Sequence, residues 1–432
     1  MSDVNTKSFC VLPWIHMNLN PDGAVTLCCQ SHKEILDANG KPLNAQTHSL
    51  SEIWNSVGMK AIRRSMAAGE SLPHCDACFN NERYGRASYR TYSNDRWLVQ
   101  HPGGAALQQS IEKSADGSAS HSPSYFDLRL GNICNLKCTA CKPLYSSQIE
   151  RDPVHSKWVV DAPYTRLGNR FQTDGEWFDA EPILDEIMSL ADNVQLIQLA
   201  GGEPTINKTQ IAFLEKLCES GQAANIDIEV VSNLSNVRQS VFDVFAKFKS
   251  LSVALSTDGA NLMYEYVRFP GKWASLTRNV ARLRGTRPGV RIAINAVLQA
   301  VNAYNIVELF DWADDENIPI NLSIGRGLDH YNDFRILPPK IRAKFHAQFE
   351  AYFARKGNRD VASVQQNIRS IFEEMDATDF SEDLRRERIL NFMFFVNDLD
   401  KSRRLSFKTA APELYDDIVA YYGHWDSRTR YA

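Results

Sequence analysis

Three cysteines within eight residues, Cys134, Cys138 and Cys141 in "LGNICNLKCTACKP", constrain this chain more than anything else in its 432 residues. They follow the β-rich run "YFDLRL" (125–130) by a few positions, so the thiols lie on a loop that leaves a strand. Three thiolates on one short loop reach three irons of a single cubane cluster, with backbone amides of the loop donating to its sulfides. A fourth iron then lacks a protein ligand and is open to another molecule. The competing readings are a zinc site completed by a distant ligand, and unpaired structural thiols. Zinc ribbons and fingers present CxxC pairs and not a CxxxCxxC triplet, which favours the cluster.

From Tyr125 onward, short β-rich runs alternate with helical stretches. The strand candidates are 125–130, "VQLIQLA" (194–200), "IDIEVVS" (226–232), "LSVALS" (251–256), "VRIAINAVLQ" (290–299) and "IPINLSIG" (318–325). Helical character lies between most of them, at 181–192, 207–221 and 304–317. Six strands, each followed by a helix, predict an α/β fold of parallel βα units. They curl into a partial (βα)6 barrel with its loops at the strands' C-terminal ends, an open doubly wound sheet being the alternative. The expected division is a cysteine-rich α+β segment (1–100), a Gly/Ser/Ala-rich linker (101–124), the barrel (125–330) and a mainly helical C-terminal region (331–432).

Five of the nine cysteines fall in the first hundred residues. "FCVLPWIHMNLNPDGAVTLCCQ" reads as a hairpin: Trp14 to Leu19 alternates, Pro21-Asp22-Gly23 turns, and Ala24 to Cys29 returns. Cys10, Cys28 and Cys29 flank it, and Cys75 and Cys78 form a CxxC pair in "LPHCDACFNNERYGRAS". Four ligands on two short elements suit a tetrahedral zinc or a four-cysteine [4Fe–4S] cluster alike. Between the pairs, "SLSEIWNSVGMKAIRRSMAAGE" reads as a helix with Ile53, Trp54, Val57 and Ile62 inward and Arg63 and Arg64 in solvent. Arg83, Tyr84, Arg86 and Tyr89 follow the CxxC, either exposed or in contact with an anionic substrate. Cys218 reads as a buried structural thiol.

Composition excludes some classes. The formal net charge of −4 supplies no global basic field, so nothing recommends nucleic acid as a partner. No run of eighteen apolar residues exists to span a bilayer, and the first residues carry no secretory h-region. The expected location is therefore cytoplasmic, where thiols stay reduced and serve metal or redox chemistry. An odd cysteine count argues against a disulfide scaffold.

"CNLKCTAC" after a strand resembles the CxxxCxxC signature of the radical S-adenosylmethionine (radical SAM) superfamily. The resemblance continues in order along the chain. Gly201, Gly202, Glu203 and Pro204 in "LAGGEPTIN" resemble the motif that holds the cofactor's methionine amino group. Ser256 and Asp258 in "LSVALSTDG" resemble the family's strand-end Ser and Asp-Gly, with Ser256 set for ribose or carboxylate. Arg268 in "EYVRF" would grip the cofactor carboxylate, a surface salt bridge being the plain alternative. Asn233 in "VVSNLSN" stands where the family often has Thr-Asn-Gly, with Leu234 in place of the glycine. Ala140 departs from the aromatic residue that many members carry before the last cysteine.

The set Cys10, Gly23 with four residues to Cys28, and Cys75-x-x-Cys78 resembles the auxiliary-cluster region of the SPASM/twitch subgroup. Here it precedes the barrel, as in the N-terminal-twitch branch, and the Gly-x4-Cys spacing selects Cys28 over Cys29. The resemblance implies an enzyme with a [4Fe–4S] cluster on Cys134, Cys138 and Cys141 that cleaves S-adenosylmethionine reductively to a 5′-deoxyadenosyl radical. It also implies one auxiliary [4Fe–4S] cluster on Cys10, Cys28, Cys75 and Cys78, for electron transfer or substrate anchoring. A flavodoxin or ferredoxin would donate electrons. A peptide is the first expectation for substrate, and an aminoglycoside-like or other small molecule the second. A different class, a non-catalytic iron–sulfur or zinc module that binds RNA or protein, predicts no cofactor cleavage. Tyr125 and Asp127 fall near the rim by topology. Asp398, Asp400, Arg403 and Arg404 in "FVNDLDKSRRLSF" read as a charged lid or a soluble turn.

Overall fold

The computed structural model describes residues 7–160, 178, 183–325, 331–356, 362–377 and 380–432. Its elements alternate as a partial (βα)6 barrel does, after a cysteine-rich α+β segment and before a run of helices. All six expected barrel strands form: β3 (Tyr125–Leu128), β4 (Leu196–Leu199), β5 (Asp227–Ser232), β6 (Ser250–Ser256), β7 (Arg291–Leu298) and β8 (Ile320–Ile324). Helices Ile183–Ser189, Lys208–Glu219 and Ile306–Asp315 occupy the expected intervals. The first two residues of the 181–192 stretch lie outside the described residues.

The chain divides into two compact units. The first comprises residues 1–131, 173–230 and 239–251, and the second 132–172, 231–238 and 252–432. In the first, β3 pairs in parallel with β4, and β4 with β5. The amino-terminal hairpin joins the same sheet: β1 (His16–Leu19) is antiparallel to β2 (Val25–Thr26) and parallel to β3, with His16 opposite Tyr125 and Asn18 opposite Asp127. Its first strand is shorter than the alternation suggests, because Leu12–Ile15 is a helical turn with Pro13 near its start. Proline's fixed φ is already helical there.

The helix expected after the hairpin is two helices. Ser49 caps Leu50–Trp54 in a capping box with Glu52, and Ser56 caps Val57–Ala67. Each serine side chain accepts from a backbone N–H at N3, so the second cap interrupts the first helix. The break rotates the faces. Val57 is 59% exposed, and Arg63 is fully buried. Its guanidinium donates to Pro13 O, Asn55 Oδ1, Gly117 O and Trp54 O at 2.8–3.2 Å and lies over the Trp54 ring. Within the 101–124 stretch, Gly104–Glu112 is helical and buries Ile111.

In the second unit β6, β7 and β8 are consecutive parallel neighbours. Every second residue of β6 and β7 is buried (Leu251, Val253, Leu255; Ile292, Ile294, Ala296, Leu298), as one-sided packing of a sheet requires. Helices Pro339–Lys356, Ala362–Asp376, Glu382–Arg403 and Pro412–Tyr422 fill the rest. Phe310, Phe345, Phe349, Phe372 and Tyr352 pack there as successive edge-to-face pairs. Among the described residues no helix is long and apolar enough to cross a membrane.

Candidate functional site

The CxxxCxxC loop has no regular secondary structure, so its shape depends on bonds from outside it. Lys137 N donates to Phe269 O at 2.6 Å and Thr139 N to Val267 O at 2.8 Å, fastening the middle of the loop to the end of the Asn261–Val267 helix. Ser146 Oγ donates to Leu136 O, Ser147 Oγ accepts from Cys134 N, and Asn132 Nδ2 donates to Pro143 O. Thr139 Oγ1 donates to Gln299 Oε1, which also accepts from Asn332 Nδ2. The three thiols converge: burial pushes Cys141 well above the usual thiol range, and Cys138 and then Cys134 add to it. Three partly buried thiols close enough for two of them to act on the third are chemically suited to bind a cationic iron core.

Arg268 is buried and fixed. Nε and Nη2 both engage Asp258 Oδ2, at 2.9 and 2.8 Å, and Nη1 lies 3.9 Å from Cys138 Sγ. Burial opposes its charge, but Asp258 overcomes that and holds the guanidinium above its ordinary value. Asp258 is itself tied down, with Val297 N donating to Oδ1 and Asn302 Nδ2 to its carbonyl. The plain surface salt bridge is thus excluded for Arg268: its pair is internal and borders Cys138. Asn233 lies in the same unit, donating to Asn135 Oδ1 and accepting from Ser235 N and Oγ. Ser256 stands opposite Asn295, at the end of β6.

The GGEP turn and the amino-terminal cysteines belong to the first unit. Gly201 has φ +107°, and a Cβ there would lie 3.2 Å from both Arg129 Cα and Gly131 O, so only glycine lets the turn pass the end of β3. Glu203 is buried and accepts from Thr205 N and Oγ1, while Asn207 Nδ2 donates to Leu130 O. Gly202 and Pro204 complete the turn, Pro204 opening a short 3₁₀ segment.

Cys10, Cys28, Cys75 and Cys78 are all buried and form one constellation. Burial raises Cys10, and Cys75 and Cys78 raise it further; burial raises Cys28, with Cys29, Cys10 and Cys78 adding. Cys75 is pushed up to about 12 by burial and then by Cys78. Backbone amides at Leu12, Gln30 and Arg90 partly offset this at Cys10, Cys28 and Cys78. Cys29 is half-buried and turned elsewhere: burial lifts it to about 11, and its strongest charged neighbours are Arg129 and Asp127. Among the described residues no group of three His, Cys, Asp or Glu closes in the way a single metal ion requires, and the sulfurs round a cubane stand farther apart than that.

Two supports here leave no local signal in the sequence. Arg90, buried, clamps Glu82 at 2.6 Å and donates to Phe9 O beside Cys10. A buried polar chain also runs across the first unit's sheet. Tyr89 and Tyr125 share a hydroxyl bond of 2.7 Å, Tyr125 Oη donates to Gln198 Oε1, and Gln198 Nε2 donates to Asp127 Oδ2. Asp127 pairs with Arg129, and Glu229 with Arg96. Residue alternation on β3 to β5 would have found the shared face, but not its bonds.

A family model described as the radical SAM superfamily matches residues 128–313, and one described as an iron–sulfur cluster-binding domain, SPASM, matches residues 10–79. No curated protein matches the chain. Among solved structures, native anSMEcpe with bound AdoMet is similar at 19% identity and TM-score 0.39, over 54% of this chain and 62% of that one. Streptococcus suis SuiB bound to S-adenosylmethionine is similar at 14% identity and TM-score 0.38, over 69% and 64%. The same protein bound to precursor peptide SuiA gives 15% and 0.38, over 76% and 72%. The chain thus spans about three fifths of the length of the first of these structures. Cys134, Cys138, Cys141, the GGEP turn, Asp258 and Arg268 fall inside the first matched region, and Cys10, Cys28, Cys75 and Cys78 inside the second. The chain therefore carries a radical SAM superfamily domain at residues 128–313, which implies a [4Fe–4S] cluster and S-adenosylmethionine as cofactors, and a SPASM iron–sulfur cluster-binding domain at residues 10–79 ahead of it.

Proposed function

We propose that this protein is a radical SAM enzyme that modifies a peptide, holding one cluster on Cys134, Cys138 and Cys141 and an auxiliary [4Fe–4S] cluster on Cys10, Cys28, Cys75 and Cys78. One observation carries the reading: seven of the nine cysteines gather into two sets, three on the loop after β3 and four round the amino-terminal hairpin. A three-thiol set leaves one iron open for a chelating cofactor, whereas a four-thiol set closes its cluster to everything but electrons. Bound at the open iron, S-adenosylmethionine supplies the hydrogen-abstracting radical.

The chain's own residues supply position and charge. Arg268, oriented by Asp258, sets a donor against Cys138 Sγ. Gly201 to Pro204 receive the cofactor's amino group, and Ser256 and Asn233 its remaining polar atoms. Cys28 takes the auxiliary position, because it is Cys28 and not Cys29 that is coupled to Cys10. A reduced flavodoxin or ferredoxin delivers the electron.

Anaerobic reconstitution tests the proposal. About eight irons per chain are expected, falling to about four when Cys134, Cys138 and Cys141 become Ala. With dithionite and S-adenosylmethionine the parent protein releases 5′-deoxyadenosine and the triple variant does not. Bound zinc, or iron without any cofactor cleavage, would sink the enzyme reading in favour of a binding module.

A further inference from the structure

The helix Glu382–Arg403 ends in a buried arginine. Two neighbours bracket the Arg403 guanidinium. On one side Nη2 lies 2.8 Å from His155 Nδ1. An arginine only donates, so that nitrogen is the acceptor and His155 is neutral with its proton on Nε2. On the other side the guanidinium carbon stands 5.6 Å from the centre of the Phe269 ring.

Both brackets lead to one place. Phe269 O accepts from Lys137 N. His155 N donates to Asp152 Oδ1, and Asp152 Oδ2 holds Lys137 Nζ at 3.0 Å. Lys137 is the residue before Cys138, and the ionisable groups facing Arg403 are Asp152 first, then Tyr266 and Cys138. Arg403 Nε and Nη1 are buried and have no hydrogen-bond partner, and among the described residues no carboxylate pairs with the guanidinium. Arg268, the other arginine near Cys138, has its charge matched by Asp258. The carboxylate that faces Arg403, Asp152, is hydrogen-bonded to Lys137 instead. Two cations thus share one carboxylate, and a buried excess of positive charge is costly unless a further anion arrives to face it.

We propose that Arg403 is the charge that balances the cluster held by Cys134, Cys138 and Cys141 and raises its reduction potential. Cluster formation brings three thiolates to this loop, and reduction adds one further negative charge, taken from an external one-electron donor. A buried cation nearby favours the reduced form over the oxidised one. Arg403 is thus a positioning and charge-balancing residue, and it gives the C-terminal helices a part in the radical site. The inference rests on the three-cysteine cluster proposed above.

The test is a potentiometric titration of the reconstituted full-length protein with dithionite, read by the electron paramagnetic resonance of each cluster. In Arg403→Gln the ratio of reduced to oxidised three-cysteine cluster at a fixed potential is expected to fall about tenfold, a shift of about 59 mV to the negative. The auxiliary cluster of the same sample serves as the fold control and should not move. Arg404→Gln removes the same charge from the exposed next residue and should shift neither cluster. Arg403→Met is a second neutral variant against a folding failure of the first, and Arg403→Lys keeps the charge.

An unchanged three-cysteine potential in a folded neutral variant, or equal shifts of both clusters, overturns the proposal. If neither neutral variant folds, Arg403→Lys decides: a ratio within about threefold of the parent supports it, and a tenfold fall overturns it. A parent protein that binds no cluster dependent on Cys134 would instead overturn the underlying reading.

Discussion

His16 faces Tyr125 across the β1–β3 pair, ring centres 4.3 Å apart, and its Nδ1 lies 3.2 Å from Leu27 O. A carbonyl only accepts, so Nδ1 carries a proton. Burial pulls its pKa down to about 4, against an opposing pull from Asp127. A depressed folded value means that the unfolded chain takes up a proton first as pH falls. The contribution is complete above pH 6.5 and is lost between 6.5 and 4, on the order of 3 kcal/mol. Urea titrations of the metal-free protein across that range should show the loss, and His16→Gln should flatten it.

Arg63 carries a second prediction at this scale. Arg63→Met leaves Pro13 O, Asn55 Oδ1, Gly117 O and Trp54 O without their donor, and about 2–4 kcal/mol of stability should go in the same titration. Arg64→Met, one residue on and exposed, should stay within about 0.5 kcal/mol. The two arginines are indistinguishable in sequence, because their partners lie up to 54 residues away. Arg403 was illegible for the same reason: its neighbours His155 and Phe269 come from distant parts of the chain. The thiols were legible, since spacing within one short loop is a local property.

Among the elements, those set by local chemistry were read correctly and those set by competition were not. Strands β3 to β8 follow from their own β-branched and apolar runs. The helix across 50–67 did not survive, because Ser56 offers a better start at Val57 than continuation through Asn55 does. Ser49→Ala removes the corresponding cap upstream and should cost about 1 kcal/mol in thermal unfolding. In the GGEP turn, Gly201→Ala puts a methyl group 3.2 Å from Arg129 Cα at φ +107°. That variant should lose 1 kcal/mol or more and should lower 5′-deoxyadenosine release more than iron content. Equal losses of both would mean that the turn serves the fold alone.

At the scale of the molecule, one buried carboxylate ties the last residues of the chain to the helix Glu382–Arg403. Asp398, fully buried, accepts from Trp158 Nε1 and from the backbone N–H groups of Arg430, Tyr431 and Ala432 at 2.8–3.1 Å. Removal of residues 430–432 takes three backbone donors from that carboxylate, and the midpoint of thermal unfolding should drop by several degrees. Asp398→Asn, which keeps the shape but weakens the acceptor, should fall between the parent and the truncation. "FVNDLDKSRRLSF" was read as a lid or a soluble turn, yet Asp398, Asp400 and Arg403 are each buried or bonded within the second unit. Charge run in sequence says nothing of which charges meet a partner on folding.

The parallel pairing of β1 with β3 sets an order of events during synthesis. About 110 residues separate Leu19 from its partner Leu128, which at about 5–20 residues per second is a wait of about 5–20 s on the ribosome. Through that interval the edge of the hairpin is bare, and toward its end Cys10, Cys28, Cys75 and Cys78 have all been made while the strand that completes the sheet has not. Iron delivered early meets a loose set of thiols, and iron delivered after β3 meets a finished one. Slowing translation between residues 80 and 125 in aerobic cells should therefore lower the yield of loaded protein, while the same delay placed beyond residue 330 should not.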